Sequence, residues 1–469
     1  MMMRMARPYL YFYVFLMLVS SCKIVQPPSL PTLPPVPDTF IGETDTISMA
    51  DMIWEEFFND EHLVALIDTA LNNNLDLLRA TQRIAVARAN LFQSQGALLP
   101  SLDAAVIANV GDNPNNVQNI NRDGQDNRMA QSYFLGLQSS WEVDLWGKLR
   151  AQREADDLRL LATEKGRHLV ITSLVAEVAR SYYELLGLDN ELQTIEKNIA
   201  FQEAALELIR IQKIGGRATE LAVQQFAAQL LRTKSLGFEK RQRIVAVENQ
   251  LNLLLGRYPQ PIRRGESILT QHLPDVIRTG VPASMLLRRP DVQQAELALA
   301  AAKADIEVAR ASFLPALVIS PFVGVGATEL PPVIRAPESL AVGLVGGVVA
   351  PLLSKNRLRA NYRRRVAQTT VAVYDYQEAL LTGYQETVTD LRRIENYREA
   401  YALRKQEAAV LSDAVSTAND LFAAGYATYL EVITAQARVL EAELGVTNTR
   451  QDIFLAIIDL YRALGGGWK

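Results

Sequence analysis

Glu431 is the one carboxylate in "GYATYLEVITAQ", residues 425 to 436, where it follows a glycine and a threonine. An acid three residues after a threonine can bond back to the threonine N–H and start a helix. Repeated by symmetry at a narrow point, the same acid favours cations. Other candidate chemistry is sparse. His62, His168 and His272 are the only histidines, and no two stand at metal-ligand spacing. Glu164 and His168 are four apart, but no second histidine completes a zinc motif, so the pair reads as exposed helix surface. The chain has neither a glycine-rich phosphate loop nor a nucleophile elbow. Its nine methionines lie mostly in the leader and do not cluster later, which leaves no path for soft metals. Cys22 is the single cysteine, so no internal disulfide or thiolate cluster is available. These residues predict no enzyme and no cofactor.

The sequence around Glu431 is written twice. Residues 216 to 227, "GRATELAVQQFA", match it at an offset of 209, with Gly216 on Gly425, Ala218 on Ala427, Thr219 on Thr428, Leu221 on Leu430 and Val223 on Val432. Glycine just past a helix suits a left-handed cap, and threonine three residues on suits the N-cap of the next helix. Ala222 stands where Glu431 does, so the first copy lacks the reach-back acid. The turns belong to a longer repeat. Residues 75 to 102 align on 290 to 317 at an offset of 215, and from Leu149 on Leu358 to Gly256 on Gly465 the offset is 209. Each copy predicts a helix, two strands, a very long helix, a turn and a helix.

Alternation marks the strands, at about 101–111, 132–143, 316–327 and 339–350. In the second strand Tyr133, Leu135, Leu137, Trp141 and Val143 share a face opposite Ser132, Gly136, Gln138, Ser140 and Glu142. About ten residues per strand suffice for a tilted membrane crossing, although a soluble sheet with one buried face would alternate in the same way. In the first long helix Leu174, Val178, Leu185, Leu188, Leu192, Ile195, Ile199, Leu206 and Ile209 follow a coiled-coil spacing, with Ser181 and Gln202 filling the seam. Residues 148 to 214 would run about 100 Å as a helix, matched by about 60 Å for 217 to 256 plus about 38 Å for 75 to 99. Four strands cannot close a barrel, and open edges are not tolerated in lipid. Copies of the chain must share one, and three would supply about twelve strands.

The first 21 residues have the pattern of an export signal, with Arg4 and Arg7 ahead of "YLYFYVFLMLV". "VSSC" resembles the lipobox of bacterial lipoproteins, in which the cysteine, here Cys22, becomes the lipidated N-terminus. Residues 22–40 form a proline-rich spacer. After it come the first repeat with its N-terminal segment, 41–256, a connector, 257–288, and the second repeat, 289–469. A composition of 49% hydrophobic and 21% charged residues is that of a folded chain. A formal charge of -4 gives no basic field, so nucleic acid is excluded as a partner.

From Trp54 to its end the chain resembles the TolC-like outer-membrane efflux factors, in the lipoprotein branch that serves RND-type tripartite pumps. The landmarks are "LIDTALNNNLDLLRA", "ALLPSLDA", "SWEVDLWGKLRA", "LVAEVARSYYELL", "LLRRPDVQQAE", "ARASFLPAL" and "LYRALGGGWK". The resemblance implies an α+β membrane protein of a Gram-negative outer membrane: a homotrimer with a shared β-barrel, four strands per chain, an α-helical barrel of long coiled-coil helices, and an internal two-fold repeat. It also implies a girdle at residues 40–72, 257–288 and the C-terminal end. Its partners would be outer-membrane lipid, a periplasmic adaptor (membrane fusion) protein and an inner-membrane RND-type transporter, and its role a passive exit duct. Gly215, Gly216, Arg217, Ala218 and Thr219 would form one adaptor-docking tip, and Gly425, Tyr426, Ala427 and Thr428 the other. Relatives often carry two acids after the second turn; Glu431 and Thr434 hold those gate positions here. Other readings are a type I secretion duct, against which the lipobox and closing GGGW weigh, and a coiled-coil envelope lipoprotein, which would not need amphipathic strands. Two departures stand out. "LLSKNRLRA" lacks the family's glycine turn, and Arg357, Arg359, Arg363, Arg364 and Arg365 form a basic run that reads as a solvated face.

Overall fold

The structure, a computed structural model, describes residues 28–37, 39–40, 48–111, 130–272, 280, 282, 288–327, 340–351 and 355–468. The leader and Cys22 lie outside the described residues, as does much of 257–288. In chain order the main elements are α1 Glu61–Asn73, α2 Leu75–Gly96, β1 Ser101–Gly111, β2 Ala130–Val143, α3 Lys148–Ile214 and α4 Glu220–Leu254. They continue as α5 Pro290–Ala311, β3 Ala316–Ala327, β4 Leu340–Val349, α6 Lys355–Ala423 and α7 Tyr429–Ala463. The chain divides into two compact units, one of residues 1–32, 85–161 and 296–375, the other of 33–84, 162–295 and 376–469.

The first unit holds one antiparallel sheet in the order β1-β2-β3-β4, so among the described residues β1 and β4 each have one edge without a strand partner. Side chains alternate between sheet faces. Leu102, Leu135, Leu137, Val323, Val342 and Leu344 share one face by register, and all are exposed. The opposite face carries Asp103, Gln138, Ser140, Ser320 and several glycines, with Phe134 and Phe322 among them. The helical part of this unit contains an ion network that spacing alone does not reveal. Arg159 bridges Asp156 (2.7 Å) and Asp305 (2.5 Å), and Arg365 joins Asp305 at 2.9 Å. The solvated-face expectation therefore fails at Arg365: the buried Asp305 carboxylate draws it into the network, whereas Arg357, Arg359, Arg363 and Arg364 are exposed.

In the second unit the seam of α3 is packed: Leu174, Val178, Leu185, Ile195, Leu206 and Ile209 are buried. Around Tyr182 and Tyr183 the core closes with Phe57, Leu63, Leu251, Phe454 and Tyr461. Asp60 begins α1 by accepting from the N–H groups of His62 (2.9 Å) and Leu63 (3.3 Å). Its other oxygen accepts from the Tyr182 hydroxyl at 2.7 Å and from Gln271 at 2.9 Å. Burial, followed by the hydrogen bond to Asp60, pushes the Tyr182 hydroxyl far above its ordinary range. His168 corrects another expectation. It is not a free surface partner of Glu164: its ring stacks on Trp468 at 4.6 Å and 12°, tying the C-terminal tryptophan to α3.

The departure at "LLSKNRLRA" has a visible consequence. Gly147, before α3, has φ 76°, but its counterpart Asn356 lies inside α6, which starts two repeat positions earlier than α3. A left-handed start is replaced by extra helix.

Candidate functional site

The two helix turns lie in the same unit. Gly216 has φ 73° and Gly425 φ 82°, a left-handed conformation that costs glycine little. Both close by the same pair of bonds. Arg217 N–H donates to Gln212 O and Gly216 N–H to Lys213 O; Tyr426 N–H donates to Leu421 O and Gly425 N–H to Phe422 O. This is the Schellman pattern, and it satisfies carbonyls that the helix end would leave without partners.

The next helices start differently. Thr219 caps α4 by accepting from Ala222 N–H at 3.2 Å. At α7 the acid reaches back: Glu431 Oε2 accepts from Thr428 N–H at 2.5 Å and from the Thr428 hydroxyl at 3.1 Å. Sequence spacing did not expose the brace across the first turn, where Lys213 pairs with Glu220 and holds that exposed carboxyl below its usual range. The repeat equivalents are Phe422 and Tyr429, which join an apolar cluster instead. One turn is clamped by charge and the other by aromatic packing. A lysine and a glutamate flanking a double glycine were the available signal.

That cluster joins the two hairpins. Leu206, Ile209, Ala222, Phe226 and Leu230 from α3 and α4 bury against Val432 of α7, with Phe422, Tyr429 and Ile433 packed at the margin. Glu431 and Thr434 lie three apart on the exposed side of α7, whereas Val432 and Gln436 are buried. Gly215, Gly216, Arg217 and Thr219 are exposed, as are Gly425, Tyr426 and Thr428; Ala218 and Ala427 are half-buried. Large apolar side chains crowd the outside of the turns, with Ile214 at 88% and Tyr426 at 85% exposure. Among the described residues no cluster of three histidine, cysteine or acidic side chains is arranged to hold a metal ion.

A sheet whose edge strands have no further partner among the described residues, two helices of 67 and 69 residues, and the repeated turns define a class. The profile of the outer membrane efflux protein family matches residues 66–257 and 281–466, and the chain belongs to that family. It is an outer-membrane efflux component and not an enzyme. Among its relatives, the pyoverdine export outer membrane protein OpmQ of Pseudomonas aeruginosa is 30% identical over 431 residues, covering 89% of this chain and 87% of OpmQ. SilC of Salmonella typhimurium, a probable outer membrane lipoprotein, is 27% identical over 450 residues, 92% of this chain and 93% of SilC. The crystal structure of CusC, a cation efflux system protein in Escherichia coli, superposes with a TM-score of 0.81 at 25% identity, covering 95% of this chain and all of that one.

Proposed function

We propose that three copies of the chain assemble into a passive exit duct for small solutes, the outer-membrane part of a tripartite pump. The observation that carries this is the sheet: four strands with both edges unpaired among the described residues and one face mostly apolar. Such a sheet is unstable in lipid alone, because open edges leave backbone groups without partners. Three of them make about twelve strands, a size at which a barrel encloses a water-filled lumen. No described helix is long and apolar enough to cross a membrane. The matching glycines, Gly216 with Gly425 and Gly256 with Gly465, all at positive φ, support an internally duplicated organisation.

The exposed apolar turns would receive a periplasmic adaptor, with an RND-type transporter supplying the energy. Glu431 would form an acidic ring at the inner mouth, with Thr434 beside it, while also capping α7. Cys22 would carry the lipid, in keeping with a lipoprotein relative. The relatives named for pyoverdine and for cations support small solutes as the cargo. Native mass spectrometry of detergent-purified protein tests assembly and lipid together. Three copies, each starting at an acylated Cys22, is the expected result; a monomer would overturn the duct, and an unmodified Cys22 would overturn the anchor.

A further inference from the structure

We infer that the sheet face bearing Phe134 and Phe322 holds a binding site for a ring-bearing organic monocation; this rests on the proposed duct, whose lumen the face opposite the apolar one would line. The site is built across all four strands. Cross-strand register puts Asp103, Gln138, Phe322 and Gly343 in one row. Phe134 approaches Phe322 edge to face, with centroids 5.9 Å apart at 81°. Glycines make room for both rings. A Cβ on Gly343 would overlap the Phe322 ring, and one on Gly136 or Gly324 would come within 2.7 or 2.8 Å of Phe134. The rings are therefore laid down along the wall instead of standing off it.

Beside them is an open hollow of about 550 Å³, bounded by Asp103, Ile107, Gln138, Ser140, Ser320 and Val345 as well as by both rings. That volume is in the range of drug-sized ligand sites. Its charge decides the ligand. Asp103 accepts a hydrogen bond from the Ser101 hydroxyl at 3.2 Å and pairs with no cation among the described residues. Aromatic faces attract cations, and a carboxylate repels anions. Gln138, Ser140 and Ser320 add hydrogen-bonding groups. A flat cation can lie on the rings with its charge toward Asp103, whereas an anion of the same size is repelled. Binding would be weak, as a conduit requires, since solutes must leave as well as enter.

The test uses the full chain in nanodiscs and a membrane-impermeant maleimide, with labelling quantified on the peptide carrying the new cysteine. Gln138→Cys should label much faster than Leu137→Cys, its neighbour on the other face; equal or reversed rates would overturn the lumen-facing assignment. With that established, rhodamine 6G should slow labelling of Ser140→Cys at least fivefold, and the anionic dye fluorescein should not. Adding Asp103→Asn should abolish the protection. Fast labelling of Gln138→Cys without rhodamine protection at Ser140→Cys, or protection that survives Asp103→Asn, would overturn the site while leaving the duct intact.

Discussion

The backbone N–H of Thr428 donates to Glu431 Oε2 at 2.5 Å, so the acid that could ring the duct mouth also holds the first turn of its own helix. The two roles predict different outcomes. Glu431→Gln keeps an acceptor for the Thr428 N–H, so α7 should still start at the same place, but the charge is gone. In bilayer recordings under a salt gradient the reversal potential should move toward zero, with lower cation preference. An unchanged reversal potential would leave Glu431 as a helix cap only.

Gly216 and Gly425 have open space where a side chain would go, so their requirement is for backbone conformation alone. Alanine at either position should cost about 1 kcal/mol through its left-handed φ, without any clash. The measurable consequence is a small fall in thermal stability, similar for the two single variants. A much larger loss at one turn would show that it bears contacts the other lacks.

Asp390 supplies a pH dependence. Burial, then the negative charge of Asp459, pushes its carboxyl up to about 6 even though Arg393 stands 3.1 Å away. Its folded pKa lies above the unfolded value, so the folded state holds the extra proton between roughly pH 4 and 6, and stability falls as pH rises through that window. Asp390→Asn should therefore stabilise the protein at pH 7.5, by up to about 3 kcal/mol for a shift of about two pK units. The gain should shrink as pH falls from about 6 toward 4. Thermal unfolding at several pH values checks this; a gain independent of pH would contradict it.

The two sheet faces should respond oppositely to charge. Leu344→Arg puts a cation on the apolar face, where a bilayer-midplane position costs about 2–4 kcal/mol. It should reduce the protein recovered in the outer membrane. Gln138→Arg, on the other face, should leave recovery unchanged. Equal recovery of both variants would contradict a lipid-facing surface.

Much of this arrangement was legible because local chemistry and global role coincide. Gly216 and Gly425 had to be left-handed, and Thr219 and Thr428 had to start helices, whatever surrounded them. The seam from Leu174 to Ile209 was legible for a similar reason: its spacing is a property of one helix. What escaped involves partners distant in sequence. Asp305 and Arg365 are 60 positions apart, and nothing local draws that arginine inward. His168 and Trp468 are separated by most of the chain, so the ring stack could not be read from the Glu164 spacing. The Lys213–Glu220 brace spans only seven positions, but its repeat equivalents, Phe422 and Tyr429, carry no charge, so the repeat does not mark it.

Planar-bilayer recording of the purified protein tests the central claim most directly. Discrete single-channel currents from inserted trimers are the predicted result. Protein that inserts as a trimer yet leaves the bilayer electrically silent at every voltage and in the Glu431→Gln variant would contradict an exit duct.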